Sequence, residues 1–178
     1  MKKKSPARLG EDELKEYALR LLAGRALTVA QLKERLRRRA SEPASVERIV
    51  GQLKEYGALD DRRFAEMFSA ARASSGQFGK RRVLAELARR KVAAKVAEQA
   101  VRQAFLGVDE DELARAWLER KYRNQDLQAL LAEPSKLAGA YRRLRHAGFS
   151  SGASVRALRR FSEQADQLEG LEPDSPAE

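Results

Sequence analysis

Cysteine is absent from the 178 residues, and histidine occurs once, at His146. Without thiols there is no disulfide framework, no thiolate metal site and no cysteine nucleophile, a usage that fits a reducing cytoplasm. One imidazole makes no metal-binding pair, and a lone histidine is ordinarily a surface or interfacial side chain. No serine or threonine stands in a nucleophile-elbow pattern, and the glycines form neither a phosphate-binding loop nor a dinucleotide fingerprint. Valine and isoleucine are sparse and no segment alternates with period two, which argues against strands. No apolar run approaches the roughly 20 residues that cross a bilayer. The basic start of the chain is followed by no apolar stretch of the signal-peptide kind. These absences predict a soluble cytoplasmic protein, not an enzyme, with no catalytic residue, no metal, no cofactor and no membrane partner.

What the sequence has in quantity is positive charge. Lysine and arginine number 36 against 26 acidic residues, a net of +10. The charge is unevenly spread. Residues 164–178 hold Asp166, Glu169, Glu172, Asp174 and Glu178 without a cation, a net of −5, and the first ten residues carry +4, which leaves +11 for the body. A body so basic expects a polyanion or an acidic protein surface. Some arginines have a carboxylate one helical turn away (Glu34–Arg38, Glu86–Arg90, Glu119–Arg123), which is ordinary helix-face pairing. The acidic tail, with Pro173 and Pro176, is expected to be disordered and dispensable for folding.

A repeat runs through the body. Tyr17–Arg25 (YALRLLAGR), Phe64–Arg72 (FAEMFSAAR) and Leu113–Lys121 (LARAWLERK) share Ala at the second place, a large apolar residue at the fifth and a final cation, at spacings of 47 and 49 residues. Each copy predicts three short helices. In the first, Leu14, Tyr17, Ala18, Leu21 and Leu22 form an amphipathic stripe that Gly24 stops. Thr28 and Gln31 make a capping box, and Pro43 opens a third helix that Gly57 ends. The second copy starts at the Asp60–Asp61 N-cap, passes a Ser-Ser-Gly-Gln-Phe-Gly loop, and continues through Val83, Leu84 and Leu87 to Val96, Ala100, Val101 and Phe105. The third opens on an Asp109–Glu112 capping box, followed by Leu137, Tyr141 and Leu144 and then by Val155, Leu158 and Phe161. The expected fold is all-α: three tandem three-helix repeats (11–59, 60–107 and 108–163) stacked into an elongated, curved array, flanked by a flexible N-terminus (1–10) and the tail (164–178).

Taken in order, these residues resemble a known family. Gly57-Ala-Leu-Asp-Asp-Arg-Arg-Phe-Ala65 is similar to the G-x-[LI]-[DN]-D-x-x-[FY]-A signature of RecX regulatory proteins, bacterial modulators of the RecA recombinase. Gly79 with Arg82, Val83, Glu86 and Leu87 resembles that family's G-x-x-[RK]-[IV]-x-x-E-L stretch, and Leu144 with Gly148-Phe149-Ser150 its closing element. The opening Ala18, Leu22, Arg25, Leu32 and Leu36 match its first repeat, with Gln31 where Glu is common. The likeness spans about Leu14 to Phe161 and makes Gly57, Asp60, Asp61, Phe64, Ala65, Gly79, Leu87, Gly148 and Phe149 structural signature positions. One departure is Arg90-Lys91-Val92 in place of the family's Lys-Gly-[IV] turn, which predicts a tighter or differently shaped junction. The resemblance implies a monomer that lies in the groove of the RecA filament on single-stranded DNA. There it would block filament growth and damp ATP hydrolysis, strand exchange and coprotease activity, and so modulate recombination, repair and the SOS response. Direct contact with single- or double-stranded DNA is left open.

Family motifs do not single out these cations as contacts, so the candidates rest on charge geometry. Lys80, Arg81 and Arg82 sit at a helix start, against the macrodipole, and Arg89, Arg90 and Lys91 extend the same repeat. Arg142, Arg143 and Arg145 precede Arg156, Arg159 and Arg160, whose spacing lines one face. Arg35, Arg38 and Arg39 form a third, weaker group because more carboxylates interleave there. The competing reading is a helix-turn-helix transcriptional regulator, since a three-helix unit with a basic last helix suits the major groove. Against it, residues 156–160 offer cations but no amide for base reading.

Overall fold

The computed structural model describes residues 8–168, whose secondary structure is helical apart from one isolated bridge. Ten α-helices follow in order: α1 (Glu11–Gly24), α2 (Val29–Arg37), α3 (Pro43–Glu55), α4 (Asp61–Ser75), α5 (Lys80–Arg89), α6 (Ala94–Ala104), α7 (Glu110–Lys121), α8 (Leu127–Leu131), α9 (Pro134–Ala147) and α10 (Ser151–Arg159). They group as three three-helix repeats: α1 to α3, α4 to α6, and α7 with α9 and α10. The short α8 is an addition that no stripe predicted, because five residues cannot show a helical period; Asp126 caps it, accepting from the amides of Gln128 and Ala129. The Ser-Ser part of the predicted loop is instead the last turn of α4, so the loop itself starts at Gly76.

The chain divides into two compact units that do not follow the repeat boundaries: residues up to Met67 with Leu87–Ala100, and Phe68–Glu86 with Val101 onward. The second repeat is therefore shared, its three helices each passing from one unit to the other.

In the first unit the α1, α2 and α3 stripes bury Leu14, Ala18, Leu32, Leu36, Val46, Ile49 and Leu53 in one core. Each large aliphatic side chain removed from water there contributes about 1.5–3 kcal/mol. Ends are fixed by the sequence signals: Thr28 and Gln31 complete their capping box, Pro43 takes the first turn of α3, and Gly57 leaves α3 at φ +67°. The N-terminal segment is less free than its composition predicted. Leu9 makes an isolated parallel bridge with Ala40, and the Arg8 guanidinium donates to the Ala40 carbonyl at 2.9 Å. The expected flexible N-terminus therefore does not extend to Arg8 and Leu9, and Leu9 packs on the core; residues 1–7 lie outside the described residues.

The Asp60–Asp61 pair does two jobs. Asp60 caps its own helix, accepting from the amides of Arg62 (2.8 Å) and Arg63 (3.2 Å). Asp61 instead accepts from the Val29 amide at 2.8 Å, so α4 caps the start of α2. The buried Thr28 hydroxyl donates to the Arg90 carbonyl at 2.8 Å and ties α2 to the end of α5 as well. Burial pushes the Asp61 carboxyl above its usual range, only partly offset by the Val29 amide. A raised folded-state pKa means that its contribution to stability is greatest in acid and is lost as pH rises through that pKa. Asp61→Ala is expected to cost about 1–2 kcal/mol by stranding the Val29 amide. Asp61→Asn keeps the acceptor without the charge, so thermal melts should place it near the parent in acid and at or above the parent at neutral pH. Glu11 and Glu47 behave oppositely: bonds from Arg48 and Lys33 hold their carboxyls low, so their stabilisation is lost as pH falls.

Lys91 leaves α5 at φ +59°, and its amide and that of Val92 return to the Ala88 and Leu87 carbonyls at 2.8 and 3.2 Å. The junction is thus not differently shaped: it is the left-handed helix end that glycine normally provides, held by a lysine.

The second unit's core joins Ala114 and Leu118 of α7, Leu131, Leu137, Tyr141 and Leu144, Phe149, and Val155 and Leu158 of α10. Asp109 caps α7 as predicted, but Glu112 does not reach back to close the box; it bonds Arg115 and Arg160. Beyond α10 a 3₁₀ helix (Glu163–Leu168) buries Ala165 and Leu168 in the same core. The expected disordered tail from residue 164 is therefore wrong in its first five residues; the rest of it lies outside the described residues. Two apolar side chains among many polar ones are too few to show a stripe. Leu168→Ala should lower stability by about 2–3 kcal/mol, or roughly 5–10 °C in melting temperature. A melt unchanged by that substitution would return the boundary to residue 164.

Candidate nucleoprotein-binding surfaces

The start of α5 is built by two glycines. The Gly79 amide donates to the Ala147 carbonyl at 2.9 Å and the Arg81 amide to the Gly148 carbonyl at 3.2 Å. The end of α9 thereby satisfies amides that no side chain caps. This crossing presents Lys80, half-buried, and Arg81, exposed, neither with a carboxylate partner among the described residues. Arg82 turns inward to the buried Glu86, which Arg72 also contacts at 3.1 Å. The Arg72 guanidinium lies over the rings of Phe68 and Phe78, 5.0 and 4.7 Å from their centres.

On α9, Arg142 is exposed without a carboxylate partner among the described residues, Arg143 donates to the Tyr122 hydroxyl at 3.3 Å, and Arg145 donates to the Phe149 carbonyl at 2.6 Å. Arg145 is half-buried and tied to the turn that follows α9. The α10 group differs most from its sequence reading. Arg156 pairs with Asp111 at 2.5 Å, Arg160 with Glu112 at 2.8 Å, and Arg159 with Asp166. The acidic partners come from α7 and the 3₁₀ helix, so they are distant in sequence and adjacent in space, and the expectation of few interleaved carboxylates fails here. Asp111 holds the Arg156 guanidinium above its usual range. Such exposed pairs are weak and salt-sensitive, yet each carboxylate offsets the charge of its arginine.

In the first unit Arg89 and Lys91 are exposed and without a carboxylate partner among the described residues, and the Arg90 carbonyl takes the Thr28 hydroxyl. Lys91 faces a shallow hollow with Lys33, Arg37 and Arg38, whose charges are met by Glu47 and Glu34. Arg35 is half-buried, and Arg39 sits over the Tyr17 ring at 5.3 Å. Of the signature residues, Ala65, Leu87 and Phe149 are fully buried, and Phe64 lines a hollow with Leu22, Leu27 and Met67.

Sequence reasoning missed a second feature. In the second unit Phe78, Arg82, Trp117, Arg120, Lys121 and His146 line a groove of about 470 Å³. Its members come from a loop, α5, α7 and α9, so no periodicity links them. The available hint was that the only tryptophan and the only histidine both belong to it. Among the described residues no three His, Cys, Asp or Glu side chains gather as a metal site, and no helix is long and apolar enough to cross a membrane.

Fold and surface define a helical-repeat protein whose repeats display arginine and lysine. Residues 60–101 match the family model described as RecX, second three-helix domain. The chain is 38% identical over 112 residues to Regulatory protein RecX of Trichlorobacter lovleyi, covering 63% of this chain and 73% of that one. It is 33% identical over 150 residues to Regulatory protein RecX of Thermus thermophilus, covering 84% and 93%. A crystal structure of RecX from Lactobacillus salivarius shares the fold, with a TM-score of 0.65 at 15% identity over 85% of this chain and 96% of that one. The chain belongs to the RecX family of regulatory proteins.

Proposed function

We propose that this protein binds the RecA filament on single-stranded DNA and restrains it, suppressing ATP hydrolysis, strand exchange and coprotease action without catalysing a reaction of its own. It acts as a monomer in the cytoplasm and modulates recombination and repair. Family membership along most of the chain is the observation that carries this reading. The basic body supports it, since a nucleoprotein filament offers both phosphates and acidic protein surface. Within that body the contacts fall first to Lys80, Arg81 and Arg142, then to Arg89 and Lys91, whose charges no carboxylate among the described residues offsets. The α10 arginines rank lower because each is already paired. The same pairing weakens the transcription-factor alternative, whose recognition helix would be α10. Co-sedimentation tests the proposal: the protein should pellet with preformed RecA filaments at lower concentration than with naked single strands. Preferential binding to one duplex sequence over random duplex, with no retention on filaments, would overturn it.

A further inference from the structure

The groove beside α7 combines flat rings with two cations, Arg120 and Lys121, that meet no carboxylate among the described residues. Trp117 is half-buried and meets Phe149 edge-on, with ring centres 6.4 Å apart and planes at 69°, so its orientation is set before any ligand arrives. Phe78 has one face covered by the Arg72 guanidinium at 4.7 Å. Arg120 is anchored through one nitrogen to the Gly76 carbonyl at 2.5 Å, which leaves its other N–H groups to point elsewhere. Lys121 is exposed, with no carboxylate partner, and no Asp or Glu lines the groove among the described residues.

We propose that this groove binds single-stranded nucleic acid, with a base stacked against Trp117 and Phe78 and the adjoining phosphates met by Arg120, Lys121 and His146. An aromatic platform beside a positive track is the arrangement that holds unpaired strands without regard to sequence. A duplex keeps its bases stacked within itself and cannot offer one to a ring inside a groove. An acidic peptide would use the cations and leave both rings idle, whereas a nucleotide uses both. At about 470 Å³ the groove has room for one nucleotide at a time. The inference rests on the nucleoprotein reading only for the source of the strand.

Trp117 is the chain's one tryptophan, so its emission reports on this groove alone. The full-length protein is titrated, without RecA, with oligothymidylate, with an abasic strand of equal length and charge, and with a duplex. Oligothymidylate should quench Trp117 and bind roughly ten-fold more tightly than the abasic strand. Phe78→Ala and Lys121→Glu should each weaken oligothymidylate binding several-fold at a temperature where melts show the variant still folded. Equal affinity for the abasic strand, or binding seen by anisotropy of a labelled strand with Trp117 emission unmoved, overturns the proposal. So does equal quenching by the duplex. Because RecA is absent, quenching that persists in a protein unable to restrain the filament would sink the filament reading and leave this one standing.

Discussion

Alanine at Gly148 is expected to cost this protein about 3–5 kcal/mol, the sum of a strained backbone and a steric overlap. Gly148 ends α9 at φ +94°, a conformation that side chains rarely adopt, and a Cβ there would lie 2.3 Å from the Arg82 amide nitrogen. A Cβ on Gly79 would meet the Gly148 carbonyl oxygen at 2.2 Å, so the same crossing forbids a side chain from either direction. Neither overlap involves the mobile end of a side chain, so relief requires moving α5 against α9. A loss of that size is a large part of a typical domain's 5–15 kcal/mol, or roughly 10 °C or more in melting temperature. Urea melts of Gly148→Ala and Gly79→Ala measure it. Because α5 begins at this crossing, both variants should also weaken filament binding through misplaced Lys80 and Arg81. A Gly148→Ala variant as stable as the parent would mean that the two helices are not packed this closely.

The double reversal Lys80→Glu with Arg81→Glu is expected to remove most restraint of the filament without harming the fold. Both residues sit in the first turn of α5, where the helix dipole favours acidic side chains over basic ones by about 0.3–1 kcal/mol each. Glutamates there should leave the melting temperature unchanged or raise it, so any lost activity cannot be blamed on unfolding. Reversing two contacts should weaken filament binding by at least roughly ten-fold at low salt and flatten its salt dependence. The triple change of Arg156, Arg159 and Arg160 to Ala should have the smaller effect, since Asp111, Asp166 and Glu112 already neutralise them. The order is checked by titrating each variant against filaments at several salt concentrations. A triple alanine variant that loses more than the double reversal would restore α10 as the main contact.

Helices were legible because their signals are local. The Leu14 to Leu22 stripe, the Thr28–Gln31 box and Pro43 each act within one or two turns, and each stands where it was expected. What the sequence concealed depends on which residues the fold brings together. Asp60 and Asp61 look like alternatives for one cap, yet the second serves α2, a helix more than twenty residues earlier. Glu119 pairs with Arg115 and not with Arg123, because a carboxylate on a helix has neighbours in both directions. The α10 arginines read as a free cationic face until the fold supplies Asp111, Glu112 and Asp166. Likewise, Phe78 and Trp117 read as loop and core residues when taken singly, and only their shared groove gives them a common role.

Whether the protein restrains RecA is measured most directly by ATP hydrolysis driven by single-stranded DNA. Filaments are assembled on a long single strand at low salt and the protein is added in rising amounts. Hydrolysis should fall at ratios below one protein per RecA subunit, because each bound molecule disturbs more than its own neighbour in a cooperative filament. The suppression should weaken as salt rises, since contacts between cations and phosphates or acidic surfaces are screened. Full hydrolysis at an equimolar ratio and low salt would contradict the account.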